Sequence, residues 1–397
     1  MFLPKKQMGE DCQRDSISSL HELVWSRLDR AGFKRNLSHL KRCGELILMD
    51  PDFRERFISD SEMTLKEVSL DVNPMDARVL FIGDVDSGCY PRLSETGYLY
   101  SMYCRDSAAY VAPTRSWRTR NRVLDSWRQM QIARCDNELG KAGRKLAHLP
   151  LAFELSTGCS VGCWFCGLNA DKLSGVFNYT DRNALLWKQC LSCMHMLLGE
   201  DAEAPICYYA TEPLDNPDLP LFIRDCFCEF HGIPQLTTAV PTRNLRYTKF
   251  VLQELAKLQL TLHRFSITSI EEFRKVMEMF SPEELLYVVL MPRFRECPKA
   301  KLVKTGKAYE NDGRTSLTGT IACVSGFVVN MDSKSVRLVT PTRPCAAFPN
   351  GEIVVGIREF SDADDLKNQT MELLKSIESC DTYGAATTAP LSVSNHS

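Results

Sequence analysis

Residues 151–169, with the sequence LAFELSTGCSVGCWFCGLN, constrain the chain more than any other stretch. Cys159, Cys163 and Cys166 form a C-x-x-x-C-x-x-C run, and the apolar segment 149–155 before it predicts a buried strand. Thiolates are soft ligands that suit iron–sulfur clusters or zinc. A structural zinc site usually adds a second Cys or His pair at matching spacing, and no such pair follows. Three thiolates without a local fourth would leave one iron of a four-iron cluster open to a cofactor.

This stretch resembles the signature of the radical S-adenosylmethionine (SAM) superfamily, and the aromatic pair Trp164–Phe165 before the third cysteine fits the same pattern. The resemblance implies one [4Fe-4S] cluster on the three cysteines, SAM on its open iron, and Phe165 among the cofactor-binding residues. Two other interpretations stay open. One is a zinc-binding interaction module, and the other is three unrelated cysteines in a chain that contains 17.

Length and composition limit the class of protein. A chain of 397 residues with a 44% hydrophobic share can bury a sizeable core and predicts two or three domains. A net charge near −2 argues against a protein that covers nucleic acid electrostatically. The cysteines are scattered, the start MFLPKKQMGEDCQRD lacks a signal peptide's apolar core, and no apolar run approaches the ~20 residues that span a bilayer. We therefore expect a cytoplasmic protein without a membrane contact.

Residues 1–148 are predicted to form a mainly helical N-terminal region. Apolar residues recur at helical spacing over 17–60, with a break at Asp50–Pro51, and a basic helix is predicted over 115–134. A polar linker over 137–148 ends the region. The region either caps the main domain or binds the leader segment of a peptide substrate.

Residues 149–314 alternate between apolar strands and helical patterns. Strands are predicted at 149–155, 206–210, 235–240, 262–267 and 285–291, and helices at 181–198, 220–231, 247–258 and 270–279. The alternation predicts an α/β fold with a parallel sheet or partial barrel, and chemistry gathers at the carboxyl ends of such strands. With the resemblance, the expected fold is a partial (β/α)6, TIM-like radical SAM barrel.

Residues 315–380 predict a β-rich C-terminal extension that completes the active site. Strands are expected at 320–331 and 336–340, joined by a turn, followed by a Pro-rich loop and a helix over 363–379. The small polar residues 381–397 predict a disordered tail.

Polar residues follow the predicted strands. Radical SAM enzymes carry a Gly-Gly-Glu-Pro-like turn after the second strand, and this chain has Ala210, Thr211 and Glu212 there. The resemblance implies that Glu212 binds the amino group of the SAM methionine, for which a carboxylate is suited. Thr238 and Ser266 end the next two strands and are further candidates for contacts to the cofactor.

A finer resemblance is carried by the phrases FELSTGCSVGCWFCG, YYATEPLDNPD and IACVSGFVVN. They look like the radical SAM peptide epimerases of ribosomal peptide maturation, of the proteusin type, over roughly residues 150–360. The resemblance implies that a 5′-deoxyadenosyl radical takes the Cα hydrogen of an L-residue in a precursor peptide with a leader sequence. A thiol then returns hydrogen from the opposite face, which gives the D-residue. A reductant such as flavodoxin or ferredoxin is also implied.

Two cysteines are candidates for the hydrogen donor. Cys345 follows the predicted strand 336–340, at an expected active-site end, and Cys323 lies inside the predicted strand 320–331. Free cysteines are mostly buried packing residues, so packing competes with the donor role for each. A maturase forming thioether or C–C crosslinks and a non-catalytic Fe–S or leader-binding protein are the rival functions. The isolated C-terminal cysteines favour epimerisation over crosslinking, which often uses grouped cysteines for auxiliary clusters.

Overall fold

The computed structural model describes residues 31–83, 93–109, 115, 117–199, 205–258, 261–294, 296–297, 300, 303–310 and 319–378. The predicted helical segment 17–30, the predicted boundary between 314 and 315 and the predicted tail 381–397 lie outside these residues. No helix in the described ranges is both long and apolar enough to cross a membrane.

Short helices make up the N-terminal region because acidic caps and prolines interrupt it. The bounds are α1 Ala31–Met49, α2 Pro51–Ser59, α3 Ser61–Glu67, α4 Pro74–Ala77, a π-helical turn Arg78–Ile82 and α5 Glu95–Ala109. The break at Asp50–Pro51 lies where the sequence predicts it. The Asp50 carboxylate accepts hydrogen bonds from two backbone N–H groups of α2, and proline fits the first helical position, where no N–H is needed.

The predicted basic helix over 115–134 is wrong in its bounds. Helix α6 spans Arg122–Leu139, because the Asn121 side chain caps it by accepting from Leu124 N–H at 3.1 Å. Arg128 is fully buried and donates to the carbonyls of Trp117, His148 and Ser325 at 2.9, 2.7 and 3.1 Å. This arginine therefore ties α6 to the start of the sheet. A short 3-10 turn, Gly143–Lys145, follows.

The central part alternates strands and helices as predicted. Its elements are β1 Leu149–Glu154, β2 Ser156–Thr157, β3 Gly175–Val176, α7 Asp181–Leu198, a 3-10 turn Pro213–Asp215, α8 Leu219–Phe230, β4 Thr237–Thr238, α9 Leu245–Leu258, β5 His263–Ile267, α10 Ile270–Met279, β6 Val288–Pro292 and α11 Lys307–Glu310. The predicted strand at 206–210 is wrong, since only Ile206 forms a bridge, parallel to Ala152. The chain turns away from the sheet because Ala210 N–H bonds the Glu154 side chain at 2.9 Å instead of a neighbouring strand.

The C-terminal part adds β7 Val324–Asn330, β8 Ser335–Pro341, β9 Glu352–Glu359 and α12 Ala363–Glu378. Strand β7 runs parallel to β1, and β7, β8 and β9 form an antiparallel meander, which includes the predicted hairpin. The strand predicted over 320–331 begins only at Val324, so the placement of Cys323 inside a strand is wrong. Residues before Val324 are held differently: Thr320 Oγ1 accepts from Ala322 N–H at 3.0 Å.

Strand pairing defines a mixed α/β protein. The named strands of the described chain form three sheets, ordered β1-β7-β8-β9, β2-β3 and β4-β5-β6, with β4, β5 and β6 parallel. A hydrogen bond of 2.6 Å between Tyr208 OH and Thr237 Oγ1 joins the segment beside β1 to β4. A single six-stranded partial barrel is not formed by these pairings and stays a prediction.

Aromatic packing fixes the outer face of β1. The rings of Phe153 and Trp187 meet edge to face at 4.7 Å, and those of Trp187 and Phe222 at 5.5 Å. All three side chains are fully buried. Burial of such rings stabilises a fold by about 1.5–3 kcal/mol each. Helices α7 and α8 are thereby fixed on one face of β1, which leaves the other face, with Glu154, toward the interior site.

Candidate functional site

One cavity gathers the residues that follow the strands. It measures about 190 Å³ and is lined by the loop after β1, by the segment 208–212 and by residues at the carboxyl ends of β4, β5 and β6. Its lining includes Cys159, Cys163, Phe165, Cys166, Thr211, Glu212 and Ser266. The structure therefore brings together most of the site residues predicted from sequence, at the carboxyl ends of the strands.

A second cavity of about 250 Å³ lies at the opposite, amino ends of β5 and β6. It is lined by His263, Val288 and side chains of α1 and α9, and by no cysteine. Of these two cavities, the smaller one is the candidate functional site, because it holds thiols next to a buried carboxylate.

The cysteine loop is folded back on the residues that follow it. Cys159 N–H donates to the carbonyl of Asp171 at 2.9 Å, and Leu173 N–H donates to the carbonyl of Cys159 at 3.2 Å. Gly158 has φ +78°, and a Cβ there would lie 2.2 Å from the carbonyl oxygen of Lys172. Only glycine permits this approach, so the turn before the first cysteine is fixed by the sequence.

The sulfur atoms receive backbone hydrogen bonds. Cys159 Sγ accepts from Val161 N–H at 3.5 Å, and Cys166 Sγ accepts from Ala170 N–H at 3.4 Å. Burial, reinforced by the neighbouring Cys159 and Cys166, raises the pKa of the Cys163 thiol to about 12. Burial also raises the pKa of the Cys159 thiol, so Cys159 and Cys163 must release their protons when they bind metal.

The donor set fits an iron–sulfur cluster. Within the described part of the chain, no group of three or more Cys, His, Asp or Glu side chains is arranged to hold a metal ion. The three thiols share one cavity wall instead. A four-iron cluster takes one thiolate per iron, so its ligands need not converge on one point. Soft thiolates are its usual ligands.

Glu212 is buried beside the cysteines. Its Oε1 accepts from Leu214 N–H at 3.2 Å, which caps the turn Pro213–Asp215, and its Oε2 accepts from Ala239 N–H at 3.0 Å. Burial raises the pKa of this carboxyl group. A cation that entered the cavity would favour the ionised form, so the site is suited to an ammonium group.

The polar residues at the next strand ends are divided between the cavity and the interior. Thr211 and Ser266 line the cavity, but Thr238 is fully buried and its Oγ1 accepts from Val240 N–H at 3.1 Å. Its neighbour Thr237 lines the cavity. Side chains alternate along a strand, so a one-residue difference exchanges the inward and outward positions.

Arg293 is a cavity residue that the sequence reasoning missed. It follows β6, and its guanidinium lies 6.0 Å from the centre of the Phe165 ring. Burial, and then the nearby Arg264, lowers the pKa of Arg293. The strand-end rule that selected Ser266 could also have selected Arg293, because it stands two residues after the strand predicted over 285–291.

A buried polar network closes the interior beneath the cavity. Glu154 Oε1 accepts from Arg337 at 2.9 Å, and Tyr209 OH donates to Glu352. Arg337 also lies 5.9 Å from the centre of the Tyr209 ring. Burial raises the pKa of Glu352. We call these four residues, from β1, β8, β9 and the segment after Ile206, the floor network.

Neither candidate donor cysteine lines the cavity, although Ile321, two residues before Cys323, lies against Gly167 of the cysteine loop. Strand β8 runs antiparallel to β7, so the loop after its carboxyl end, with Cys345, lies toward the amino end of β1. Cys323 is at the same end, where its carbonyl accepts from Leu149 N–H at 2.7 Å. Cys345 is exposed. Cys323 packs beside Tyr208 and Tyr209, and burial raises the pKa of its thiol to about 11.

Comparisons with known proteins give one sequence relative and one structural neighbour. No family model matches the chain. It is 33% identical over 356 residues to "Uncharacterized protein y4wI" of Sinorhizobium fredii (strain NBRC 101917 / NGR234), an alignment that covers 84% of this chain and 69% of that protein. A crystal structure of BtrN in complex with AdoMet and 2-DOIA matches 56% of this chain and 80% of its own, with 18% identity and a TM-score of 0.36. That structural likeness is weak.

Proposed function

We propose that this chain, which belongs to the same family as y4wI of Sinorhizobium fredii, is a radical SAM enzyme. In this proposal it converts L-residues to D-residues in a ribosomally made precursor peptide. The observation that carries the proposal is that three cysteine thiols and the buried Glu212 carboxylate line one cavity.

Cys159, Cys163 and Cys166 would hold the cluster, with backbone N–H groups on the first and third sulfur atoms to stabilise the thiolates. When bound, the cluster and SAM would supply a 5′-deoxyadenosyl radical able to remove the Cα hydrogen of the substrate. Glu212 would bind the ammonium group of the cofactor. Phe165, Thr211 and Ser266 complete the lining, while Thr238 supports it from below through Val240.

Cys323 is the hydrogen donor in this proposal. With a pKa of about 11 its thiol stays protonated at neutral pH, as a hydrogen-atom donor requires. Cys323 packs beside Tyr208 and Tyr209, which line the cavity, and Ile321, two residues before it, lies against Gly167 of the cysteine loop. A substrate in this cavity would have the radical on one face and the Cys323 thiol on the other. Cys345 shares that end but is exposed to solvent, which disfavours it.

Inversion balances as two hydrogen-atom transfers. The Cα–H bond breaks as hydrogen leaves the L-residue, and the Cys323 S–H bond breaks as hydrogen returns to Cα from the other face. The sulfur radical that remains requires an electron, which the proposed partner, a reductant such as flavodoxin or ferredoxin, would supply, and a proton, which would come from water. The other partner is the precursor peptide with its leader sequence.

Mass spectrometry of a co-expressed precursor peptide in deuterated water tests the proposal. An exchangeable thiol leaves one deuteron at each inverted Cα, so discrete gains of about one mass unit per site, with D-residues after hydrolysis, are expected. A loss of two mass units would identify a crosslinking maturase instead. An unchanged cognate peptide, with an active cluster, would contradict the epimerase.

A further inference from the structure

A polar clamp joins the loops that carry the proposed cofactor ligands. Asp215 Oδ2 accepts from the backbone N–H of Ser160 at 2.9 Å, and the Ser160 hydroxyl donates to the same carboxylate. The Arg243 guanidinium donates to Ser160 Oγ at 2.5 Å and to Asp215 Oδ1 at 2.7 Å. We call these three residues the loop clamp.

Each member of the loop clamp belongs to a different loop. Ser160 directly follows the ligand Cys159. Asp215 closes the turn that Glu212 caps, since its N–H donates to the Glu212 carbonyl at 3.0 Å. Arg243 follows β4, four residues after Ala239, whose N–H holds Glu212. The clamp therefore fixes the cysteine loop relative to the Glu212 carboxylate.

Burial makes the clamp depend on Arg243. The Asp215 side chain is 2% exposed, whereas that of Arg243 is 43% exposed and covers the carboxylate from the solvent side. Removal of Arg243 would delete its hydrogen bonds to Ser160 and Asp215 and leave the Asp215 carboxylate as a buried charge without its ion-pair partner. The loop beside Cys159 would thereby gain freedom.

We propose that the loop clamp is a positioning device that keeps the cluster bound and in register with Glu212. The inference rests on the proposed function, because it assumes a cluster on the three cysteines. None of the three residues is a ligand. Groups that orient metal ligands typically contribute about 10–100-fold to metal affinity or activity when they are removed.

The test compares reconstituted wild-type protein with Arg243→Met, Arg243→Lys and Ser160→Ala, and with Arg246→Met as a control. Arg246 is exposed and lies three residues further along the same stretch, so its loss removes the same charge. The readouts are iron per chain, the rate at which the cluster absorbance bleaches under an iron chelator, and the change that SAM causes in the EPR spectrum of the reduced cluster.

Arg243→Met is expected to bleach about tenfold faster and to show a smaller SAM-induced EPR change than wild type. Arg243→Lys restores the charge but not the two-pronged contact, so its rate should be intermediate. Ser160→Ala, which leaves the Asp215–Arg243 pair intact, decides the question should Arg243→Met fail to fold, and it too should bleach faster. Arg246→Met should match wild type.

Equal bleaching rates and EPR changes in all four variants and wild type would overturn the clamp while leaving the proposed function standing. Bleaching as fast in Arg246→Met as in Arg243→Met would also overturn it, because charge alone would then explain the effect. A wild-type protein that takes up no cluster after reconstitution would overturn the proposed function and the clamp together.

Discussion

The cavity wall that carries the three cysteines, here called the wall, and the floor network are held by contacts that span very different separations in sequence. On the wall, Cys166 N–H donates to the carbonyl of Cys163, three residues away, and Cys159 pairs with residues 171–173. On the floor, Glu154 and Arg337 are 183 residues apart in sequence yet form a direct ion pair. The backbone hydrogen bonds of the wall lie within one short stretch, to which the loop clamp adds contacts over 55 and 83 residues. The floor forms only once β1, β7, β8 and β9 have paired.

The comparison separates two tasks. Half-buried thiols on a short loop can accept a cofactor that arrives after folding, and backbone groups aim the sulfur atoms. The floor is a folded interior of charged and aromatic side chains beside Cys323, and it has to be complete before any substrate binds. Changes on the wall should therefore remove cofactor chemistry without unfolding the chain. Changes in the floor network should lower the free energy of unfolding.

The largest effect is expected from the wall. Replacing Cys159, Cys163 and Cys166 together with Ala removes every thiolate of the proposed cluster, so iron content and SAM cleavage should both fall to background. Far-UV circular dichroism should be unchanged, since these side chains are only half buried. SAM cleavage that persisted in the triple variant would refute the assignment of the ligands.

The second largest effect is expected from the proposed hydrogen donor, Cys323. Cys323→Ala should retain cluster and SAM cleavage but lose inversion of the peptide, because the Cα radical would lack its donor. Cys345→Ala is the matched control and should invert normally, since that thiol is exposed. Chiral analysis of the hydrolysed peptide measures both, and the opposite pattern would transfer the donor role to Cys345.

The floor network should matter for stability. Arg337→Met leaves the Glu154 carboxylate, only 2% exposed, without its ion-pair partner. Breaking a buried pair in this way costs about 3–5 kcal/mol, measurable by urea unfolding of the metal-free chain. Arg358→Met, on the exposed face of β9, is the control and should change stability by less than about 0.5 kcal/mol. Equal losses in the two variants would erase the contrast between wall and floor.

A smaller effect is expected from Glu212→Gln. The amide retains acceptor capacity for Leu214 N–H but removes the charge opposite an ammonium group. A charge-assisted hydrogen bond contributes about 1.5–3 kcal/mol, so the KM for SAM should rise about 10–100-fold while the cluster stays bound. Titration of SAM against the reduced enzyme gives this value. An unchanged KM would show that another group binds the amino end of the cofactor.

Local patterns explain what could be predicted from sequence. Helices α7 and α10 have the predicted bounds, because each begins at a capping Thr or Ser and carries one apolar face. Three lining residues, Cys159, Glu212 and Ser266, are predicted from local features: the spacing of the cysteines, the resemblance of the turn at Glu212 to that of radical SAM enzymes, and the position of Ser266 at a strand end. Site residues at the ends of parallel strands can thus be predicted from the sequence alone.

Long-range pairing explains what could not. Thr238 was expected in the cavity, but the short strand β4 turns Thr237 inward instead. Cys345 is predicted at an active-site end, yet β8 is antiparallel to β7, so its carboxyl end is level with the amino end of β1 and Cys345 is exposed outside the cavity lining. The floor network could not be predicted from sequence, because Arg337 and Glu352 carry no local signature. They meet Glu154 and Tyr209 only after the strands have paired.

The central claim is that the three cysteines and Glu212 form one site for an iron–sulfur cluster and SAM. The most direct measurement is anaerobic reconstitution with iron and sulfide, followed by iron counting and detection of 5′-deoxyadenosine after reduction in the presence of SAM. The account predicts about four irons per chain and 5′-deoxyadenosine that requires all three cysteines. A colourless protein that binds one zinc ion and leaves SAM intact would contradict it.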